Sequence, residues 1–142
     1  MNKFNCYSIL KVSNQFTKDE LDSCFRNLMM YIYHNNKLSE SDKKIAYDIV
    51  MDNYNILKDP VSKQNYDREL VEFYSSFKEQ ANYITSKAKY LHKLPSTEVN
   101  EFKINMCIST LLNLRYIRDN NSDLQLVESM NIAHVKRHRC HK

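Results

Sequence analysis

Apolar residues return at helical intervals along most of the chain. Leu21, Phe25, Leu28, Met29, Ile32 and Tyr33 fall on one face of a helix. Thr17-Lys-Asp-Glu20 precedes them in capping-box form, a hydroxyl followed three residues later by a carboxylate. The stretch His34-Asn-Asn-Lys-Leu-Ser-Glu-Ser41 breaks the period and predicts a loop. A second helix is expected over Ser41 to Leu57, with Ile45, Ile49, Val50, Tyr54 and Leu57 turned inward. Asp59-Pro60 reads as the start of a third: Asp accepts first-turn amide hydrogens, and proline is best tolerated at the first helical position.

That third helix is long. Leu70, Tyr74, Phe77, Ala81, Ile84, Ala88 and Leu91 alternate spacings of four and three, and Leu94-Pro95 ends the run. A helix from Pro60 to His92 spans roughly 50 Å at 1.5 Å per residue. Two helices of ordinary length cannot cover it, so the C-terminal part of the chain is expected along its far end. A further helix is predicted from Thr97 to Ile117, carrying Phe102, Met106, Cys107, Ile108, Leu111, Leu112 and Leu114. Asp119-Asn-Asn-Ser122 predicts a turn. Ser122-Asp-Leu-Gln125 has capping-box form again, opening a short helix with Leu124, Val127 and Met130.

Composition sharpens this all-α picture. The 142 residues include no glycine and two prolines. A Walker loop, a dinucleotide-binding glycine turn and a G-x-S-x-G nucleophile elbow are therefore all absent. No paired carboxylates or nucleophile–base spacing stand out, so no enzymatic activity and no cofactor are expected. The net charge of +4 comes from 21 basic and 17 acidic residues. Lys136, Arg137, Arg139 and Lys142 account for the whole excess, leaving a neutral body with a basic end. Cys6, Cys24, Cys107 and Cys140 lie far apart with no C-x-x-C pair, which suits a reducing compartment. With no apolar secretory segment at the start and no apolar run of about 18–20 residues, a cytoplasmic protein without a membrane span is expected, with mitochondrion and nucleus as alternatives.

The first 70 residues carry a more specific pattern. Cys6-Tyr-Ser-Ile-Leu-Lys-Val12 resembles the Tyr-Tyr-x-Ile-Leu-Gly-Val opening of the J domain, the DnaJ co-chaperone module. Asp19-Glu-Leu, Phe25-Arg-Asn-Leu, Tyr33-His-Asn-Asn-Lys37, Tyr47, Val50, Tyr54-Asn-Ile-Leu57, Asp59-Pro60 and Tyr66-Asp67 continue the match in register. The resemblance implies a J-like head over residues 1–70, an antiparallel helical hairpin whose last helix runs on. Residues 71–135 are then expected as a helical extension, hairpin or bundle, and 136–142 as a basic, disordered tail.

J domains stimulate ATP hydrolysis by DnaK-type chaperones through His-Pro-Asp in the loop between their second and third helices. Here His34 remains, Asn35 replaces the proline and Asn36 the aspartate, so the motif is degenerate. The resemblance makes His34, Asn35, Asn36 and Lys37 the partner-docking loop. It makes Arg26 the docking residue of a helix that in the family presents a basic face. Over Thr17 to Tyr33 this helix carries Lys18 and Arg26 against Asp19, Glu20 and Asp22, a net charge of −1. Steering toward an acidic partner should be weak.

The expected role is a noncatalytic J-like adaptor with a protein partner, either a DnaK-type chaperone or another J protein. The degenerate J-like subunit of the mitochondrial import motor is an analogue. An active co-chaperone of the iron–sulfur-assembly type is the alternative. A third reading uses Lys136, Arg137, Arg139 and Lys142 for a nonspecific contact with RNA, a ribosome or an acidic surface. His138, Cys140 and His141 form one short cluster, too sparse to predict a metal site.

Overall fold

In a computed structural model, residues 4–127 are described; they contain helices and no strand. The helices are α1 (Cys6–Leu10), α2 (Lys18–Tyr33), α3 (Glu40–Lys58), α4 (Pro60–His92) and α5 (Glu98–Asp119), followed by a helical turn at 124–127. The architecture is all-α, with a hairpin of α2 and α3, α1 packed across it, and α4 extending beyond the head to pair with α5.

Short side-chain caps set most of these boundaries. Thr17 Oγ1 accepts the Glu20 amide at 3.2 Å, Ser39 Oγ the Asp42 amide at 3.1 Å, and Thr97 Oγ1 the Asn100 amide at 3.1 Å. Asp59 Oδ2 takes both the amide and the hydroxyl of Ser62, with Pro60 opening the helix behind it. These bonds hold the Asp59 carboxyl below its usual range. Each cap satisfies a first-turn donor that has no partner inside its own helix.

One junction lacks the residue that would relax it. Lys11 ends α1 with φ 58° and ψ 41°, left-handed geometry. The J-domain pattern places glycine here, and a Cβ makes this conformation cost roughly 1 kcal/mol. Among the described residues Lys11 is the one with positive φ.

The main core gathers Phe4, Tyr7, Leu10, Leu21, Ile32, Val50, Leu57, Tyr66 and Leu70. Phe25 stacks on Tyr54 with ring centroids 4.1 Å apart, and the Tyr54 hydroxyl donates to Asp22 at 2.7 Å. Leu124 and Val127, from the far end of the described chain, are buried in this same cluster. The C-terminal segment therefore completes the head as well as following the extension.

Three expectations about facing change: Tyr33, expected on the inner face of α2, is exposed, because it sits one residue, about 100° of rotation, past Ile32 on the Leu21–Phe25–Leu28–Ile32 line. Ile45 and Ile49 are exposed on α3, because its buried stripe runs through Ala46, Tyr47, Val50, Tyr54 and Leu57. Each isoleucine sits one residue, about 100° of rotation, off that stripe. On α5 the inward positions are Ile104, Cys107, Leu111, Leu114 and Ile117, while Phe102, Met106, Ile108 and Leu112 face outward. The α4 seam behaves as its spacing predicts: Leu70 and Leu91 are buried and Tyr74, Phe77, Ala81, Ile84 and Ala88 are half-buried.

Candidate functional site

The candidate docking site is the bend between α2 and α3. His34 caps the C-terminus of α2, its amide donating to the Met30 carbonyl at 3.0 Å. The exposed imidazole stands edge-on to the Tyr33 ring, with centroids 5.0 Å apart and planes at 86°. Asn35 folds its side chain inward: Oδ1 accepts the Lys37 amide at 3.0 Å, and its carbonyl accepts the Leu38 amide at 3.3 Å. This side-chain turn supplies part of the restraint a proline ring would give. From α3, Lys43 Nζ donates to the Tyr33 carbonyl at 3.0 Å, placing a cation on the last turn of α2 where the helix dipole favours one.

Asn36 and Lys37 are exposed at the tip. The Asn36 amide makes no hydrogen bond within the described residues. It is a neutral group presented to solvent at the position where the family presents a carboxylate. The site therefore brings His34, Asn35, Asn36 and Lys37 together on one short turn. Arg26 lies two helical turns upstream, exposed on α2.

The surface joining Arg26 to the loop was not anticipated from periodicity. Arg26, Met30 and Tyr33 follow i, i+4, i+7 spacing and share one exposed face. Met30 is 55% and Tyr33 64% exposed. The available signal was Met30 itself, apolar yet outside the Leu21–Phe25–Leu28–Ile32 stripe. This face presents one cation and two apolar side chains. Lys136, Arg137, Arg139 and Lys142, together with His138, Cys140 and His141, lie outside the described residues.

A second constellation, absent from the sequence reading, ties the ends of the described chain together. Asp123 is buried, and its carboxylate receives four hydrogen bonds. Oδ1 accepts the Ser8 amide at 2.9 Å and the Ser8 hydroxyl at 2.7 Å; Oδ2 accepts the Tyr7 amide at 2.9 Å and the Tyr66 hydroxyl at 2.5 Å. The carboxylate thus caps α1 from more than a hundred residues away.

Around it, the Phe4 amide donates to Asn121 Oδ1, the Asp123 amide to the Phe4 carbonyl, and the Ser122 amide and hydroxyl both to Asn5 Oδ1. Ser122 therefore serves Asn5, and the local capping role its spacing suggested is not what its hydroxyl does. Burial pushes the Cys6 thiol up to about 11. Burial also raises the Tyr66 hydroxyl, aided by Asp123, and the Tyr7 hydroxyl, aided by its bond to Asp67. The Asp123 carboxylate at its centre is buried, with both oxygens taken up by bonds inside the protein, so the clasp is a structural device.

The family model of the DnaJ domain matches residues 5–67. This segment is a J domain. The match spans α1 to the first turns of α4 and includes the whole 34–39 loop. No curated protein and no solved structure matches the chain. At the level of the family, the J domain implies a co-chaperone role with protein partners such as DnaK-type chaperones. No helix among the described residues is long and apolar enough to cross a membrane.

Proposed function

We propose that the chain is a noncatalytic adaptor whose J domain binds a protein partner, a DnaK-type chaperone or another J protein, with weak or no stimulation of ATP hydrolysis. The observation that carries this reading is the exposed, neutral Asn36 beside His34 at the α2–α3 bend. Replacing a carboxylate by an amide turns a charge-assisted bond to a partner's cation into a neutral one of about half the strength. Where that cation is buried on docking, the loss reaches about 2–5 kcal/mol.

The α2 surface supports the same reading. Its −1 charge gives no long-range pull toward an acidic chaperone patch, while exposed Met30 and Tyr33 favour short-range apolar contact. On this reading the chain performs no covalent chemistry of its own. The unpaired Cys6, Cys24 and Cys107 support a reducing, cytoplasmic setting.

The test is single-turnover ATP hydrolysis by a DnaK-type chaperone from the same cell, with and without the full chain. The expected result is little stimulation, with a large gain on restoring the family's motif through Asn35→Pro with Asn36→Asp. Robust stimulation by the natural chain that disappears on His34→Gln would overturn the proposal and establish an active co-chaperone.

A further inference from the structure

Helix α5 is apolar on more sides than α4 covers. Its inward stripe, Ile104, Cys107, Leu111, Leu114 and Ile117, lies against α4. The opposite half of its circumference carries Val99, Phe102, Met106, Ile108, Leu112 and Tyr116, each between 47% and 66% exposed. This outward face is mixed: Asn105, Ser109 and Asn113 lie among the apolar side chains, yet six large apolar groups on the side away from α4 exceed what a solvated helix face ordinarily carries. Six such side chains leave on the order of 100 Å² each uncovered, roughly 600 Å² summed over the face, with those polar residues interspersed.

We infer that this face binds a second copy of the same chain, with the two α5 helices antiparallel across a twofold axis near Ser109. Phe102, Ser109 and Tyr116 recur at heptad intervals along the outward line, placing a small residue at the centre and an aromatic on either side. A twofold contact uses the same patch twice. Doubling the exposed area sets a ceiling of about 1,200 Å² buried in total, the lower end of the range for a specific interface.

Charge placement selects the antiparallel arrangement. Glu101 lies eight residues before Ser109 and Arg115 six residues after it. At about 1.5 Å and 100° per residue, the two share a flank within roughly 40° and sit about 12 Å and 9 Å from the axis. The twofold therefore brings Glu101 of one copy to Arg115 of the other, twice. Ser96 Oγ holds Glu101 Oε1 at 2.6 Å, which fixes the carboxylate at the helix start and leaves its second oxygen outward. A parallel pair would instead put the two Glu101 side chains, and likewise the two Arg115 side chains, on opposite flanks of the contact, so that no Glu101–Arg115 pair forms across it. Antiparallel packing also opposes the two helix dipoles favourably.

Sedimentation equilibrium of the full chain, over about 1 to 100 µM, reads this directly. The expected species has twice the 17.0 kDa chain mass. Phe102→Glu and Leu112→Glu, both at exposed positions, should each weaken association at least about tenfold without changing helicity. Glu101→Arg and Arg115→Glu should each weaken it, and the double reversal should restore it to within about threefold of the natural chain. Ser109→Cys should yield a disulfide-linked dimer on mild oxidation that the parent chain does not form.

A monomer throughout that range, or a dimer indifferent to these changes, would overturn the inference. So would a monomeric chain that captures unfolded client protein through α5. The measurement is independent of ATP hydrolysis, so it stands or falls separately from the proposed adaptor role.

Discussion

The clasp around Asp123 and the loop around Asn36 are both short polar segments at helix ends, yet they put polarity to opposite uses. In the clasp, donors and acceptors from Phe4–Ser8 and Asn120–Asp123 are matched in the interior, and no buried side-chain nitrogen or oxygen among the described residues lacks a partner. In the loop, Asn35 turns inward to shape the backbone while His34, Asn36 and Lys37 remain exposed. Polarity that is buried and matched fixes a single arrangement, since any other leaves a costly orphan. Exposed polarity costs the fold little and stays free for another molecule.

The sharpest way to break that contrast is to remove Asp123. Asp123→Ala strands the Tyr7 and Ser8 amides and the Tyr66 hydroxyl, and should lower stability by about 3–5 kcal/mol in a denaturant titration. Asp123→Asn, which keeps an acceptor, should cost less. Equal, small losses for both would mean that the clasp contributes little.

Alkali attacks the same region more gently. The Cys6 thiol titrates in the fold near 11 against its ordinary 9.0, a folded value above the unfolded one. Its contribution, about 3 kcal/mol, is therefore fully present below pH 9 and lost as the pH climbs toward 11. The raised Tyr7 and Tyr66 hydroxyls extend the loss upward. Melting temperatures should thus be flat up to about pH 9 and then fall, and Cys6→Ala should blunt the first part of the decline.

Smaller still is the gain from relieving the left-handed lysine. Lys11→Gly should stabilise the chain by about 1 kcal/mol in the same titration, through removal of the Cβ clash. Last come the loop variants. His34→Gln and Asn36→Asp should each change stability by less than about 0.5 kcal/mol, because neither exposed side chain is part of a packed network. A large stability change at either position would erase the distinction between clasp and loop.

Much of the fold was legible in the chain because its signals are local. Thr17, Asp59 and Thr97 announce helix starts through contacts only three residues away, and the α4 seam is written in its own spacing. The bend between α2 and α3 was legible for a different reason: its residues keep the order and register of a family pattern. The clasp was not, because Asn5, Asn121 and Asp123 meet across 115 or more positions and no periodicity records such a meeting. Ser122 shows the hazard directly, its capping-box spacing outcompeted by the distant side-chain oxygen of Asn5. The facing of α5 was hidden by abundance, since apolar residues on every side leave a one-sided pattern nothing to select.

The cap on α1 also has a consequence for synthesis. Ser8 leaves the ribosome early, whereas Asp123 is translated more than a hundred residues later. Until it arrives, the first helix of the J domain lacks the carboxylate that satisfies its leading amides. A nascent chain halted within α4 should therefore hold an unfinished head, open to proteases and to rapid amide exchange around Tyr7. Maturity of the module is timed by the last stretch of polypeptide to reach it.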